Sequence, residues 1–233
     1  MITGKILGET YVMNGVSADA SGFVPDMSAD TYYEVIRLVD GKVLFLPDHL
    51  ERFRRSLSGS YIPYPGDQQV IETIRLLVTE NRFREGNIRI CLQHSAGKKP
   101  LLLGYFVPYI YPDANMYREG VKMATYPHQR PNPGIKKWDD RFRKSVAAYI
   151  LENRVYEAAL VNSKQQITEG SRSNIFFIDL DGQTERVAAR NGPHFSDAVG
   201  IFHLADVLGV KEVLLDGVRV IPSHFEDLLF VRK

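Results

Sequence analysis

The sequence predicts an α+β protein of two domains, and three observations lead to this prediction. Short runs of apolar and β-branched residues, closed by Asn-Gly or Asp-Gly turns, are typical of β-hairpins. Between them lie stretches whose apolar residues recur at helical spacing. A stretch that begins with Pro112, residues 112–117, separates two such groups and is the best candidate for a linker. We therefore expect a small α/β domain at 1–112 and a second domain at 113–233.

In the first domain, predicted strands and helices alternate. The strongest hairpin signal consists of residues 32–39, the turn Asp40-Gly41 and the apolar run 43–46. A helix is predicted to begin at Pro47, since proline is favourable in a first helical turn. A second, amphipathic helix is predicted at 67–82. Further strands are predicted at 2–7, 9–13, 86–92 and 101–111.

In the second domain, a strand at 120–126 leads into a loop with two prolines, and a helix is predicted at 139–153. Ser196 is a suitable N-cap for a helix that runs to about residue 208, where Gly209 ends it. Further strands are predicted at 156–162, 167–168, 175–180, 211–215 and 218–221.

Composition excludes several classes of protein. The net charge of +1 provides no field that would attract nucleic acid or an acidic membrane. The single cysteine, Cys91, excludes a disulfide framework within the chain and makes a cysteine-based metal site unexpected. It lies in an apolar run, which favours a core residue over a nucleophile. No apolar run is long enough to span a membrane, and the N-terminus is too polar for a signal peptide, so we expect a cytoplasmic protein with no metal.

Lys136 and Lys137 follow a loop stiffened by Pro131 and Pro133. A lysine in such a position is usually a solvated surface charge. Here the apolar residues on either side of the lysine pair indicate a partly desolvated site, which favours a neutral amine able to form a Schiff base. These residues alone do not distinguish Lys136 from Lys137.

Glu169 precedes Gly170 at a corner between two predicted strands, where the backbone can be approached closely. The ordinary interpretation is a turn residue that faces water. The alternative is a carboxylate that pairs with a protonated pyridine nitrogen, which would make that ring an electron sink.

Two arginines are candidate anion ligands. Arg52 lies one helical turn after His49, and its fork-shaped guanidinium suits a phosphate group. Arg89 lies within an apolar strand, where an unpaired charge is costly, so it must meet either a structural carboxylate or a substrate carboxylate. Tyr32 and Tyr33 are neighbours along their strand, so their rings point to opposite faces of the sheet. Only one of the two rings can therefore face the candidate site.

The order of these motifs is more informative than any one of them. In chain order they are Tyr33-Glu34-Val35-Ile36-Arg37, His49-Leu50-Glu51-Arg52, Asn87-Ile88-Arg89, Gly134-Ile135-Lys136 and Thr168-Glu169-Gly170-Ser171-Arg172-Ser173-Asn174-Ile175-Phe176. This series resembles the class IV, or fold-type-IV, pyridoxal-phosphate enzymes over about residues 11–178. That family contains branched-chain aminotransferases, D-amino-acid aminotransferases and 4-amino-4-deoxychorismate lyases.

The resemblance implies a role for each matching residue. The family's spacing selects Lys136 over Lys137 as the lysine that forms the internal aldimine with pyridoxal 5'-phosphate. Glu169 would pair with the pyridine nitrogen, and Arg52 would contact the phosphate. Tyr33 and Arg89 would line the substrate side. The cofactor wall would be shaped by the residues from Ser171 to Asn174, Ser173 and Asn174 included.

The implied function is transfer of an amino group between a small amino acid and a 2-oxo acid, by a homodimer with a larger, β-rich C-terminal domain. A pyruvate-releasing lyase or a non-catalytic relative are the alternatives. After Phe177 the sequence departs from the family pattern. Only Gly200 and Ile201 match the turn that binds phosphate through its backbone, and the C-terminal domain is expected to be shortened.

Overall fold

The computed structural model describes residues 6–23, 30–109 and 111–173, together with the backbones of three later strands at 174–178, 184–186 and 228–232. The chain divides into two compact units. The first contains Met1–Ile110 and Ile135–Phe142, and the second contains Tyr111–Gly134 and Arg143–Lys233. The segment around Lys136 therefore belongs to the first unit, although it follows the second unit's first strand in the sequence.

The first unit contains a six-stranded antiparallel sheet with the strand order β2-β1-β6-β5-β3-β4. A 3₁₀ turn, Ala20–Gly22, follows β2. The six strands are β1 (Leu7–Met13), β2 (Val16–Asp19), β3 (Asp30–Val39), β4 (Lys42–Val43), β5 (Gly86–His94) and β6 (Leu101–Val107). The predicted hairpin at Asp40-Gly41 is confirmed, because β3 and β4 pair across that turn.

Two helices, α1 (Leu46–Leu57) and α2 (Asp67–Asn81), cover one face of this sheet. The buried side chains between them include Phe53 of α1 and Leu77 of α2. β4 is shorter than the predicted strand at 43–46. Phe45 adopts a left-handed conformation with a φ of 49°, which turns the chain into α1 directly after Val43-Leu44.

The period-two alternation of strand residues gives the sheet two different faces. On β5, Ile88 and Ile90 pack into the core beneath the helices. Cys91 belongs instead to a second apolar cluster on the opposite face, which also contains Tyr33 and Tyr105. The burial expected for Cys91 is confirmed, and burial raises the pKa of its thiol to about 11.

The second unit begins with a helix where the sequence analysis expected a linker. This helix, α3 (Ala114–Glu119), is capped by the Asp113 side chain, which accepts a hydrogen bond from the Met116 amide. The parallel strands β7 (Met123–Pro127) and β8 (Glu157–Val161) are connected through helix α4 (Asp140–Asn153), as parallel neighbours require a crossover.

Strand β9 (Ile167–Gly170) returns antiparallel to β8. A second three-stranded sheet of this unit has the order β11-β10-β12 and consists of β10 (Asn174–Ile178), β11 (Thr184–Arg186) and β12 (Leu228–Arg232). The helix predicted from Ser196 and the hairpin around Asp216-Gly217 lie outside the described residues. Within the described part of the chain, no helix is long and apolar enough to cross a membrane.

Candidate active site

The backbone of Lys136 is fixed against strand β3. The Tyr33 amide donates to the Lys136 carbonyl at 3.1 Å, and the Trp138 amide donates to the Thr31 carbonyl at 2.8 Å. The Lys136 amide donates to Ser56 Oγ of α1 at 3.1 Å. The segment around Lys136 therefore extends the sheet at its edge, so both side chains of the lysine pair leave from a fixed backbone.

The two adjacent lysines have different surroundings. Lys136 Nζ lies 3.7 Å from Glu34 Oε2 and 5.4 Å from the centroid of the Tyr33 ring, and its side chain is 20% exposed. Lys137 pairs with Asp30 at 2.7 Å, and its side chain is 45% exposed. Of the two lysines, Lys136 reaches the buried group around Glu34, whereas Lys137 pairs with Asp30.

Glu34 is the centre of that buried group, with a side chain that is 1% exposed. Its carboxylate accepts hydrogen bonds from Arg52 Nε at 2.6 Å and from Arg52 Nη2, and it lies 2.9 Å from His49 Nδ1. Our sequence analysis did not select Glu34 or His49 as site residues. Apart from Arg37, Glu34 is the charged residue of the strand at 32–39, and a carboxylate among apolar and aromatic neighbours was a signal that could have identified it.

Electrostatics keeps the Glu34 carboxylate ionised. Burial alone would raise the pKa of Glu34, but the charges of Lys136 and Arg52 hold this pKa well below its ordinary value. Burial lowers the pKa of His49, so its ring is neutral at neutral pH. A neutral ring beside a carboxylate donates its Nδ1 proton.

Two cations of this group lie beside one carboxylate. Arg52 and Lys136 both pair with Glu34. Positive charge in a partly buried position favours the binding of an anion. The Arg52 fork is occupied by Glu34, so the contact between Arg52 and a phosphate stays a prediction.

Arg89 lies on the other face of the sheet within a box of three aromatic rings. Its guanidinium carbon is 5.7 Å from the Tyr33 ring, 5.8 Å from the Tyr105 ring and 5.4 Å from the Trp138 ring. Its buried Nε has no hydrogen-bond partner, and no carboxylate pairs with Arg89 among the described residues. From the sequence, the expected partner of Arg89 was either a structural carboxylate or a substrate carboxylate. Among the described residues, no structural carboxylate takes that position.

Tyr33 is the aromatic residue that connects these two groups. Its ring is near both Lys136 and Arg89, whereas Tyr32 packs into the core beneath the helices. Alternation along β3 explains the difference, since Tyr32 and Glu34 share the face that carries α1. Lys136 can reach both Glu34 and the Tyr33 ring because it extends from the edge of the sheet.

In the second unit, Glu169 pairs with Arg130 rather than facing water alone. Arg130 Nη1 donates to Glu169 Oε2 at 2.9 Å, and the glutamate side chain is 17% exposed. Burial raises the pKa of Glu169, and the charge of Arg130 opposes this shift. The role of Glu169 as partner of a pyridine nitrogen stays a prediction.

A buried carboxylate, Glu157, holds the turn that follows Glu169. Glu157 is fully buried and accepts hydrogen bonds from the Ser171 amide at 3.2 Å, from Ser171 Oγ at 2.5 Å and from Ser173 Oγ at 3.0 Å. A Cβ at Gly170 would meet Ser173 Oγ at 2.1 Å, so glycine is required there. The Ser173 hydroxyl is therefore used within the protein, a contact that the sequence did not reveal.

Three further predicted site residues cannot be placed. The backbone of Asn174 begins strand β10, and its side chain is not described. Gly200 and Ile201 lie outside the described residues. Their predicted contacts with the cofactor remain predictions.

The chain is similar in sequence to curated proteins. Over 170 residues, this chain is 27% identical to a putative branched-chain-amino-acid aminotransferase from Methanocaldococcus jannaschii. The match covers 64% of this chain and 56% of that protein. Over 189 residues, this chain is 26% identical to a D-alanine aminotransferase from Staphylococcus epidermidis, in a match that covers 76% of this chain and 64% of that protein. The chain thus spans less than two thirds of the length of these relatives.

Solved structures confirm the fold. The branched-chain amino acid aminotransferase from Escherichia coli superimposes with a TM-score of 0.70 at 18% identity, covering 87% of this chain and 76% of that one. The branched-chain aminotransferase from Thermobaculum terrenum in its PLP form gives a TM-score of 0.66 at 19% identity, with 88% and 76% covered. The predicted α+β, fold-type-IV architecture is confirmed. The family model described as "Amino-transferase class IV" matches residues 31–192, and the chain therefore belongs to the class IV aminotransferase family.

Proposed function

We propose that this protein is a pyridoxal-phosphate-dependent aminotransferase that moves an amino group between a small amino acid and a 2-oxo acid. The observation that carries the proposal is the position of two cations around one aromatic ring. Lys136 Nζ and the Arg89 guanidinium carbon lie 5.4 Å and 5.7 Å from the centroid of Tyr33. An amino acid presents an amine and a carboxylate, which are the groups that these two side chains would handle.

The residues present fit the cofactor. The group around Glu34 contains two cations, Arg52 and Lys136, and such positive charge suits a phosphate dianion. The Lys136 amine is partly exposed, so a small molecule can reach it. When bound, pyridoxal phosphate supplies an aldehyde that condenses with amines and a ring that accepts electron density.

Each candidate residue of the chain would then have its own role in the reaction. Lys136 would provide the amine that holds the cofactor and would move a proton to and from the substrate Cα. Arg89 would bind the substrate carboxylate within its aromatic box, where burial strengthens the charge–charge attraction. Glu169 would hold the ring nitrogen of the cofactor. Tyr33 and Trp138 cover apolar surface of the substrate and exclude water.

The function can be tested with the purified chain and added pyridoxal phosphate. We expect a visible absorption band that borohydride reduction fixes to Lys136, as located by mass mapping of peptides. Branched-chain L-amino acids and D-alanine, suggested by the relatives' names, are the first donors to test with 2-oxo acid acceptors. Pyruvate release without an acceptor would indicate the lyase instead. A bound cofactor with no turnover of any donor would indicate a non-catalytic relative. The expected homodimer and cytoplasmic location stay predictions.

Replacing Arg89 with methionine is expected to raise the KM for the amino acid on the order of 100-fold, while kcat changes much less. The reason is that a charge-assisted contact made in both the bound substrate and the transition state contributes uniform binding. Steady-state kinetics over a range of amino-acid concentrations measures the effect. Arg75→Met removes an exposed arginine from α2 of the same unit and serves as the control. Equal KM values for the two variants would contradict the role of Arg89.

A further inference from the structure

The loop between β7 and Lys136 is connected to Glu169 by one arginine. Arg130 Nη1 donates to Glu169 Oε2 at 2.9 Å, and Arg130 Nη2 points to the Pro133 carbonyl at 3.5 Å. The two side chains are 27% and 17% exposed. A charge-assisted hydrogen bond in this partly buried position is stronger than one at the surface, so the pair defines the orientation of the carboxylate.

Within the residues that the structure describes, one oxygen of Glu169 accepts a hydrogen bond. Oε2 accepts the bond from Arg130, and Oε1 accepts none. The backbone beneath is set by the antiparallel pairing of β8 and β9, in which Leu160 lies opposite Glu169. The carboxylate is therefore held at one oxygen and presents the other to a second donor.

The same contact controls how strongly Glu169 binds a proton. Burial raises the pKa of this carboxyl, and the charges of Arg130 and, to a smaller extent, Arg143 act against that shift. Among the described residues, the charged groups that act on Glu169 are these two arginines, one from the loop after β7 and one from α4. Without Arg130, a buried carboxyl would take up a proton more readily and would lose its ability to accept a hydrogen bond from a cationic donor.

We propose that Arg130 is a positioning residue that keeps Glu169 ionised and turned so that Oε1, which accepts no hydrogen bond from the described residues, receives the hydrogen bond from the ring nitrogen of pyridoxal phosphate. The inference rests on the proposed function for the identity of the donor. A carboxylate weakened as a base by Arg130 leaves the shared proton on the ring nitrogen, whereas a more basic carboxylate would draw that proton away. The Arg130–Glu169 pair therefore determines whether the pyridine nitrogen of the cofactor is protonated.

The arginine–glutamate coupling can be tested first in the cofactor-free protein. The titration of the Glu169 carboxyl, followed by carbon-13 NMR and assigned by its loss in Glu169→Gln, is expected to move to higher pH in Arg130→Met. Arg130→Lys keeps the charge and should restore most of the original titration. Arg118→Met removes an exposed arginine of the same unit and should change nothing. A titration that Arg130→Met leaves unchanged overturns the proposal.

The second measurement uses nitrogen-15-labelled pyridoxal phosphate bound to each protein. The ring-nitrogen resonance should indicate a protonated nitrogen in the parent and in Arg130→Lys, and move toward the neutral value in Arg130→Met. Cofactor affinity, measured by fluorescence titration, should fall on the order of tenfold in Arg130→Met. A ring-nitrogen resonance that is the same in all three proteins overturns the inference but leaves the proposed function intact. Failure of the parent to bind the cofactor would contradict the proposed function, and the cofactor-free titration would still decide the arginine–glutamate coupling.

Discussion

Replacing Lys136 with alanine is expected to abolish turnover, lowering kcat by a factor on the order of 10⁴. The variant loses the only amine that the structure places beside Glu34 and the Tyr33 ring, among the residues described. It should also lose the absorption band that borohydride reduction fixes in the parent protein. Single-turnover assays with a saturating amino acid, together with absorbance spectra, measure both effects.

The neighbouring lysine provides a matched control. Lys137→Ala removes the same charge one residue later, from a side chain that pairs with Asp30 and is 45% exposed. An exposed ion pair contributes little, so stability should fall by less than about 1 kcal/mol and the spectrum should be unchanged. If Lys137→Ala loses the band and Lys136→Ala keeps it, the assignment of the catalytic lysine is wrong.

Replacing Glu34 with glutamine is expected to destabilise the protein by about 3 to 5 kcal/mol at neutral pH. The carboxylate is 1% exposed and is the shared partner of Arg52, His49 and Lys136, so its removal leaves buried cations without compensation. Chemical denaturation measures the free energy of unfolding. Glu80→Gln removes an exposed carboxylate from α2 and should stay within about 0.5 kcal/mol of the parent.

This effect should depend on pH, in a direction given by the carboxyl of Glu34. Its folded-state pKa lies below the ordinary value of 4.5, so the unfolded state binds the proton more readily. The stabilisation is therefore fully present above pH 4.5 and is lost as pH falls through the folded-state pKa. The stabilities of the parent and of Glu34→Gln should converge in acid. A constant difference at all pH values would show that Glu34 acts through packing rather than through charge.

Several elements were predictable because their signals are local. The hairpin at Asp40-Gly41 depends on turn residues next to each other, and it was found where it was expected. Helix α2 was expected at 67–82 and is observed at Asp67–Asn81, since a repeated apolar stripe is a strong signal. The short helix α3 was missed because its six residues, capped by Asp113, are too few to show a helical period.

The site was predictable in its residue types but not in its connections. The order of motifs identified Lys136, Arg52, Arg89 and Glu169 as candidates. The order of motifs did not reveal that Arg52 donates hydrogen bonds to Glu34 or that Arg130 donates one to Glu169. Both contacts join residues that are far apart in the chain. The sequence around one partner therefore does not predict the identity of the other.

The sequence by itself determined the fold class and the family, because periodicity, turn residues and the order of short motifs are all properties of neighbouring residues. Only the tertiary structure decided how the two lysines differ, since their surroundings depend on strand β3 and helix α1 rather than on the loop that carries them. Side-chain direction and charge balance arise only when distant elements pack, and they separate Lys136, which faces a buried carboxylate, from Lys137, which faces Asp30 at the surface.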